Sequence, residues 1–277
     1  MIRVRNNHIK LGKDLIPLFS NIINFGTRFK ILASKIDKLK KNNTEWDKIN
    51  LLKKDLSYLA FIQSLTGEKH QKILMYLNDF IEDKQFKKKF KLKLKKLNNH
   101  NKKTDDLRFH AITLYILVRS IKPRLFVETG ISAGKSSALI LLALKHNKFG
   151  NLISIDLPEG DKKRLKYSKE SMKVKNEEIG ILVPEYLKLK WKIIFGDSII
   201  VLKKLFKNNK PNIFLHDSLH TYDHTKKEIN IILGKKSKKI LVLCDNIEMG
   251  SGKAFNQVLI KRNTIGYAYK NFAGVNL

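Results

Sequence analysis

The 277 residues carry 56 Lys and Arg against 25 Asp and Glu, a formal net charge of +31 at pH 7, with a hydrophobic fraction of 43%. Such a chain is neither fibrous nor compositionally disordered, and its length allows one large domain or two smaller ones. A single cysteine, Cys244, excludes an intramolecular disulfide framework, and no apolar run approaches the roughly 20 residues that span a bilayer, so a soluble, cytoplasmic protein is expected.

The positive charge is spread along the chain. Residues 1–110 hold 26 basic and 11 acidic side chains, and residues 111–277 hold 30 and 14. Only eight of the basic residues are arginine, the side chain that grips phosphate bidentately. A lysine-rich compositional bias is therefore the first reading, with weak contact to an anionic surface second. The start, MIRVRNNHIKLGKD, lacks the apolar core of a signal peptide.

Residues 1–103 read as a basic helical region. Leu11 to Leu32 is amphipathic, interrupted by Pro17 and Gly26. Thr44, with Asp47 three residues on, caps a helix through Trp46, Ile49, Leu52, Leu56 and Leu59. A further helix is expected over His70–Ile81. From Lys84 to Lys103 there are ten lysines and no acid. Phe86, Phe90 and Leu97 keep helical spacing there, whereas Phe90, Leu92 and Leu94 alternate as a strand would, and helix is the preferred reading. The run has no arginine and its two aromatics are wanted by a core, so no sequence-specific nucleic-acid contact is expected. Asn98 to Lys103 reads as the linker to a second domain, 104–277.

Thr104-Asp105-Asp106 caps an apolar helix that runs to Ile121 and stops before Pro123. Then come Leu125-Phe126-Val127, the apolar run of a strand buried on both faces, followed by Glu128, Gly130, Gly134 and a helix over Ser132–His146. Strand, acid, glycine turn and helix is how an α/β sheet presents a nucleotide-like ligand. Gly134-Lys135-Ser136 ends like a phosphate-binding P-loop. Thr129 stands where that motif needs its first glycine, and the Glu128 carboxylate would repel phosphates. Glu-x-Gly-x-x-x-Gly instead suits a ligand with a cationic or hydroxylated part.

Four more strands follow. Leu152–Asp156 ends in an acid placed to accept a ribose diol. Lys162 to Glu185 reads as a helical excursion. Trp191–Phe195 leads to Asp197, Asn212–His216 to Asp217, and Lys239–Leu243 to Asp245-Asn246. Five strands thus deliver an acid to their carboxyl ends, the edge at which open α/β sheets bind ligands. The densest chemistry is His216 to His224, with three histidines in nine residues. A plain helix start, capped by Asp217 or Ser218 with the histidines in solvent, competes there with general-base or metal chemistry.

Taken in order, ETGISAG, LISID, GDS, IFLHDSLHTY and VLCDNIE resemble the class I S-adenosylmethionine (SAM)-dependent methyltransferases, in the branch with His-Asp-x-x-His-x-Tyr after strand four. ILVPEYLKLKW resembles the same branch. The resemblance covers roughly Thr104 to Leu277. It implies a Rossmann-like, seven-stranded methyltransferase sheet with helices on both faces and a last strand that is antiparallel, the final hairpin coming from Ile265–Lys270 and Phe272–Leu277. It implies that Glu128, Gly130 and Gly134 surround the methionine part of SAM, that Asp156 takes the ribose, and that Asp197 lies near the adenine. Asp217, Asp245 and Asn246 occupy the places that bind Mg²⁺ in catechol-type members. Many relatives carry two acids after strand five where this chain has Asp245 and Asn246. The expected reaction is O-methylation of a small or saccharide-like hydroxylated acceptor. Either His220 removes the acceptor proton or a metal held at Asp217 lowers the hydroxyl's pKa. A basic nucleic-acid- or membrane-surface-binding protein with an inert α/β domain, and a P-loop-type kinase, are the competing readings.

Overall fold

The computed structural model describes residues 58–98, 109–158, 178–206, 210–234 and 239–277. The stretch Leu11–Leu32, the helix opened by Thr44, the linker after Asn98, the Thr104–Asp106 cap and most of Lys162–Glu185 lie outside those residues.

Strand β1 (Leu125–Thr129) is buried from Phe126 to Thr129, as expected for an apolar run flanked on both sides. It pairs in parallel with β2 (Asn151–Asp156) and β4 (Ile213–His216). Strand β3 (Trp191–Phe195) adds to β2, and β5 (Leu241–Cys244) to β4, both in parallel. The predicted terminal hairpin forms as β6 (Tyr267–Tyr269) and β7 (Phe272–Asn276), with β7 antiparallel to both β5 and β6. The seven strands lie in the order β3-β2-β1-β4-β5-β7-β6. Strand positions match the sequence reading to within one or two residues.

The helices before β1 are α1 (Tyr58–Thr66), α2 (His70–Glu82), α3 (Lys84–Asn98) and α4 (Phe109–Ile121). On α1, Tyr58, Phe61, Ile62 and Leu65 are buried. Phe61 meets Phe272 edge-on at 6.3 Å, and Tyr58 meets Tyr269 at 5.4 Å, so α1 covers the terminal hairpin. The lysine run is helical as expected, with Phe86, Phe90 and Leu97 buried. Its lysines at 84, 88, 89, 91, 95 and 96 are exposed. Arg119 on α4 pairs with Asp79 of α2 at 2.8 Å and lies over the Tyr76 ring. Among the described residues no helix is long and apolar enough to cross a membrane.

Helix α5 (Lys135–Asn147) follows β1 and is buried from Ser136 to Leu144. It starts three residues later than the pattern of Ser132–His146 suggests. Ser132 (φ 51°) and Gly134 (φ 83°) take left-handed backbone, which a helix cannot contain. The remaining helices are α6 (Ser198–Leu205), α7 (Tyr222–Leu233) and α8 (Gly250–Arg262).

Ladder hydrogen bonds continue past the strand ends. Gly130 N–H donates to the Ile155 carbonyl at 2.8 Å, Asp217 N–H to Thr129 and Asp245 N–H to His216, each at 3.0 Å, and Gly196 N–H to Asp156 at 2.9 Å. The segments after β1, β2, β3, β4 and β5 therefore leave the sheet side by side.

Candidate active site

Glu128 is wholly buried at the end of β1. Its Oε1 accepts from Ser137 at 2.5 Å and from Ser154 at 2.6 Å, and the Trp191 indole N–H donates to Ser154 at 2.7 Å. Its Oε2 is buried without a hydrogen-bond partner. Burial pushes the carboxyl up to about 7, against a pull downward from the two serine hydroxyls. The unfolded carboxyl ionises near 4.5, so between about pH 4.5 and 7 the unfolded chain holds fewer protons. Stability from this group therefore falls as pH rises through that window. Glu128→Gln should remove the dependence, so its stability relative to wild type should climb between pH 5 and 8 by roughly 2–3 kcal/mol, seen as a rising difference in thermal midpoint. Scanning fluorimetry across that range checks it; a constant offset refutes the assignment.

The glycine turn owes its two glycines to neighbouring backbone. Gly130 has φ 86°, and a Cβ there would come within 1.9 Å of the Asp217 carbonyl oxygen. Gly134 has φ 83°, and its Cβ would meet the Gly180 Cα at 2.7 Å. The stretch from Gly180 lies against this turn, with Gly180 N–H donating to Ser132 and Leu182 N–H to Ala133. Asp156 fastens the turn from the other side, its Oδ2 accepting from the N–H of Ile131 (3.0 Å) and Ser132 (3.1 Å). Asp197 caps α6, accepting from Ile199 N–H at 2.9 Å.

Beyond β4 and β5 the structure brings Asp217, His220 and Asp245 together. Loss of water, then the charge of the Asp245 carboxylate, holds the Asp217 carboxyl well above its usual range. Asp245 is buried and its Oδ1 has no hydrogen-bond partner. Asn246 follows in left-handed backbone (φ 52°), its amide nitrogen turned to the Met249 sulfur. His220 Nε2 stands 4.0 Å from Asp217 Oδ1, and His220 Nδ1 is buried without a partner. Burial, then the neighbouring charge of His216, lowers the His220 imidazole to about 4, so at neutral pH it is uncharged and able to accept a proton. Among the described residues no group of three His, Cys, Asp or Glu side chains is placed to hold a metal ion.

The three histidines part company. Only His220 faces the paired carboxyls. His216 is wholly buried, with Nδ1 2.7 Å from Glu228 Oε2 and Nε2 2.9 Å from the Thr225 hydroxyl. His224 lies 2.9 Å from Glu228 Oε1. The plain helix-start reading does not hold, because α7 begins at Tyr222, with Thr221 rather than Asp217 or Ser218 at its N-cap position. Glu228 was not singled out in the sequence. Its signal is an acid on the same helical face as Thr225, Ile229 and Ile232, all of them buried.

Residues 127–247 match a family model described as a methyltransferase domain. No curated protein sequence matches the chain. The O-methyltransferase from Bacillus cereus in complex with SAH shares the fold at 13% identity and a TM-score of 0.50, over 78% of this chain and 99% of that one. A methyltransferase from Geobacter sulfurreducens is 19% identical, over 75% and 96% of the two chains, with a TM-score of 0.47. An SAH-bound Podospora anserina methyltransferase is 14% identical, over 75% and 95%, with a TM-score of 0.45. The matched segment runs from within β1 to the residues just after β5 and holds the carboxyl ends of β1 to β5. Residues 127–247 thus resemble a methyltransferase domain, and they lie on a fold shared with the Bacillus cereus O-methyltransferase.

Proposed function

We propose that the enzyme methylates a hydroxyl oxygen of a small or saccharide-like acceptor, with Asp217, His220 and Asp245 at the reacting end. The observation that carries this reading is the meeting of an uncharged histidine with two paired carboxyls beside the glycine turn. An amine acceptor would need neither, since its neutral form is already nucleophilic. The Bacillus cereus relative is itself an O-methyltransferase.

On this reading SAM lies along the carboxyl edge of β1 and β2. The unpartnered Glu128 Oε2 and the turn Gly130–Gly134 suit its charged methionine end. The Asp156 lone pairs not taken by the N–H groups of Ile131, Ser132 and Leu157 accept the ribose hydroxyls, and Asp197 stands towards the adenine. The acceptor oxygen attacks the methyl carbon in line with the sulfonium; the carbon–sulfur bond breaks, its electron pair stays on sulfur, and the acceptor proton passes to His220. Binding and alignment are most of what the protein must supply.

Mg²⁺ fits the donor set. Asp245 Oδ1 is buried and lacks a partner, the Asp217 carboxyl is held up by loss of water and then by its neighbour's charge, and oxygen donors suit a hard cation. With only two acids at hand, Asn246 would be the third ligand. The ion would supply a lowered pKa at the acceptor hydroxyl.

We further propose that residues 104–277 carry methyl transfer and that residues 1–103 contribute to acceptor choice. Incubation with SAM labelled in its methyl group, against matched hydroxyl and amine acceptors, tests the proposal. Label transferred to hydroxyls supports it, and label found only on amines refutes it. Thermal shifts with SAM but not with ATP would separate the enzyme from a kinase.

A further inference from the structure

Glu228 lies fully buried on α7, and five side chains converge on its carboxylate. The Thr129 hydroxyl donates to Oε2 at 2.9 Å, where His216 Nδ1 also sits at 2.7 Å. Oε1 takes the Ser218 hydroxyl at 3.0 Å, His224 Nε2 at 2.9 Å and the Ser198 hydroxyl. Four of the five border a residue of the proposed site. Thr129 stands between Glu128 and Gly130, Ser198 follows Asp197, and His216 and Ser218 flank Asp217.

Any buried carboxylate must have its lone pairs satisfied, so the origin of the partners matters here more than their number. This one gathers donors from the ends of β1 and β4 and from the start of α6, just beyond β3. Those are three separate loops that must hold donor and acceptor in line. Hydrogen bonds to one buried charge are stronger than neutral ones and fix direction as well as distance. We propose that Glu228 is a positioning residue for methyl transfer, setting the glycine turn, the Asp197 turn and the Asp217 loop at one separation. The inference rests on the methyltransferase reading of this edge.

Gln at this position keeps the shape and cannot serve both oxygens. Its amide nitrogen must face either Thr129 and His216 or Ser198, Ser218 and His224. Full-length wild type, Glu228→Gln, Glu228→Asp, Thr129→Val and Ser198→Ala should be titrated with SAM by calorimetry, well below their thermal midpoints. Near-UV circular dichroism reports which variants are folded. We expect Glu228→Gln to weaken SAM binding by about tenfold or more, as loss of an outer partner does at other ligand sites, and Glu228→Asp to recover part of it. Thr129→Val and Ser198→Ala should each weaken it less, and Thr129→Val should add little on top of Glu228→Gln.

Unchanged SAM affinity in a folded Glu228→Gln overturns the inference. Should that variant not fold, unchanged affinity in both Thr129→Val and Ser198→Ala overturns it equally. Wild type that fails to bind SAM would remove the methyltransferase reading and the inference together. Wild type that binds, with variants that bind equally well, removes only the inference.

Discussion

Alanine at His220 should lower the rate of methyl transfer by roughly 10²–10⁴ if the imidazole takes the acceptor proton. The side chain is uncharged at neutral pH and close to Asp217, and its variant should still bind SAM, because nothing in the glycine turn depends on it. Chelation then separates the two routes to a reactive oxygen. If a divalent cation held by Asp217, Asp245 and Asn246 activates the hydroxyl, a chelator should abolish turnover while calorimetric SAM binding stays nearly intact. If His220 acts alone, chelation should do little. Wild-type turnover in both Asp217→Ala and His220→Ala would exclude both routes and leave this corner with a purely architectural role.

Asp156→Ala should weaken SAM binding strongly. Hydrogen bonds to a charged group contribute roughly 1.5–3 kcal/mol, so the loss of the ribose contact alone corresponds to a drop in affinity of about 10- to 100-fold. The fold adds to that expectation, since the same carboxylate also fastens the backbone of Ile131 and Ser132. Asp156→Asn keeps one acceptor oxygen and should fall between. Calorimetry giving equal affinities for alanine variant and wild type would refute the ribose assignment.

The sheet was legible because each buried parallel strand is a short apolar run ending in an acid, a pattern that local sequence carries in full. Helix starts were less so. The start of α5 depends on left-handed backbone at Ser132 and Gly134, and nothing in a serine announces that conformation. The acids of the site were readable for the same reason as the strands, whereas the roles of the histidines were not. His216, His220 and His224 look alike in sequence, and only the contacts of His216 and His224 with Glu228 set His220 apart. Glu228 itself escaped because its partners come from β1, β4 and α6, contacts that no local window contains.

The packing of α1 on the terminal hairpin has a consequence for how the chain is made. Asn276 donates its side-chain N–H to the Leu65 carbonyl at 3.0 Å, a contact 211 residues long in sequence. A ribosome adding about 5–20 residues per second needs roughly 10–40 s to cover that span. Throughout it, Phe61, Ile62 and Leu65 emerge with the surface they finally cover still unmade. Nascent chains should therefore engage holding chaperones through this early helix and release them only once β7 has left the exit tunnel.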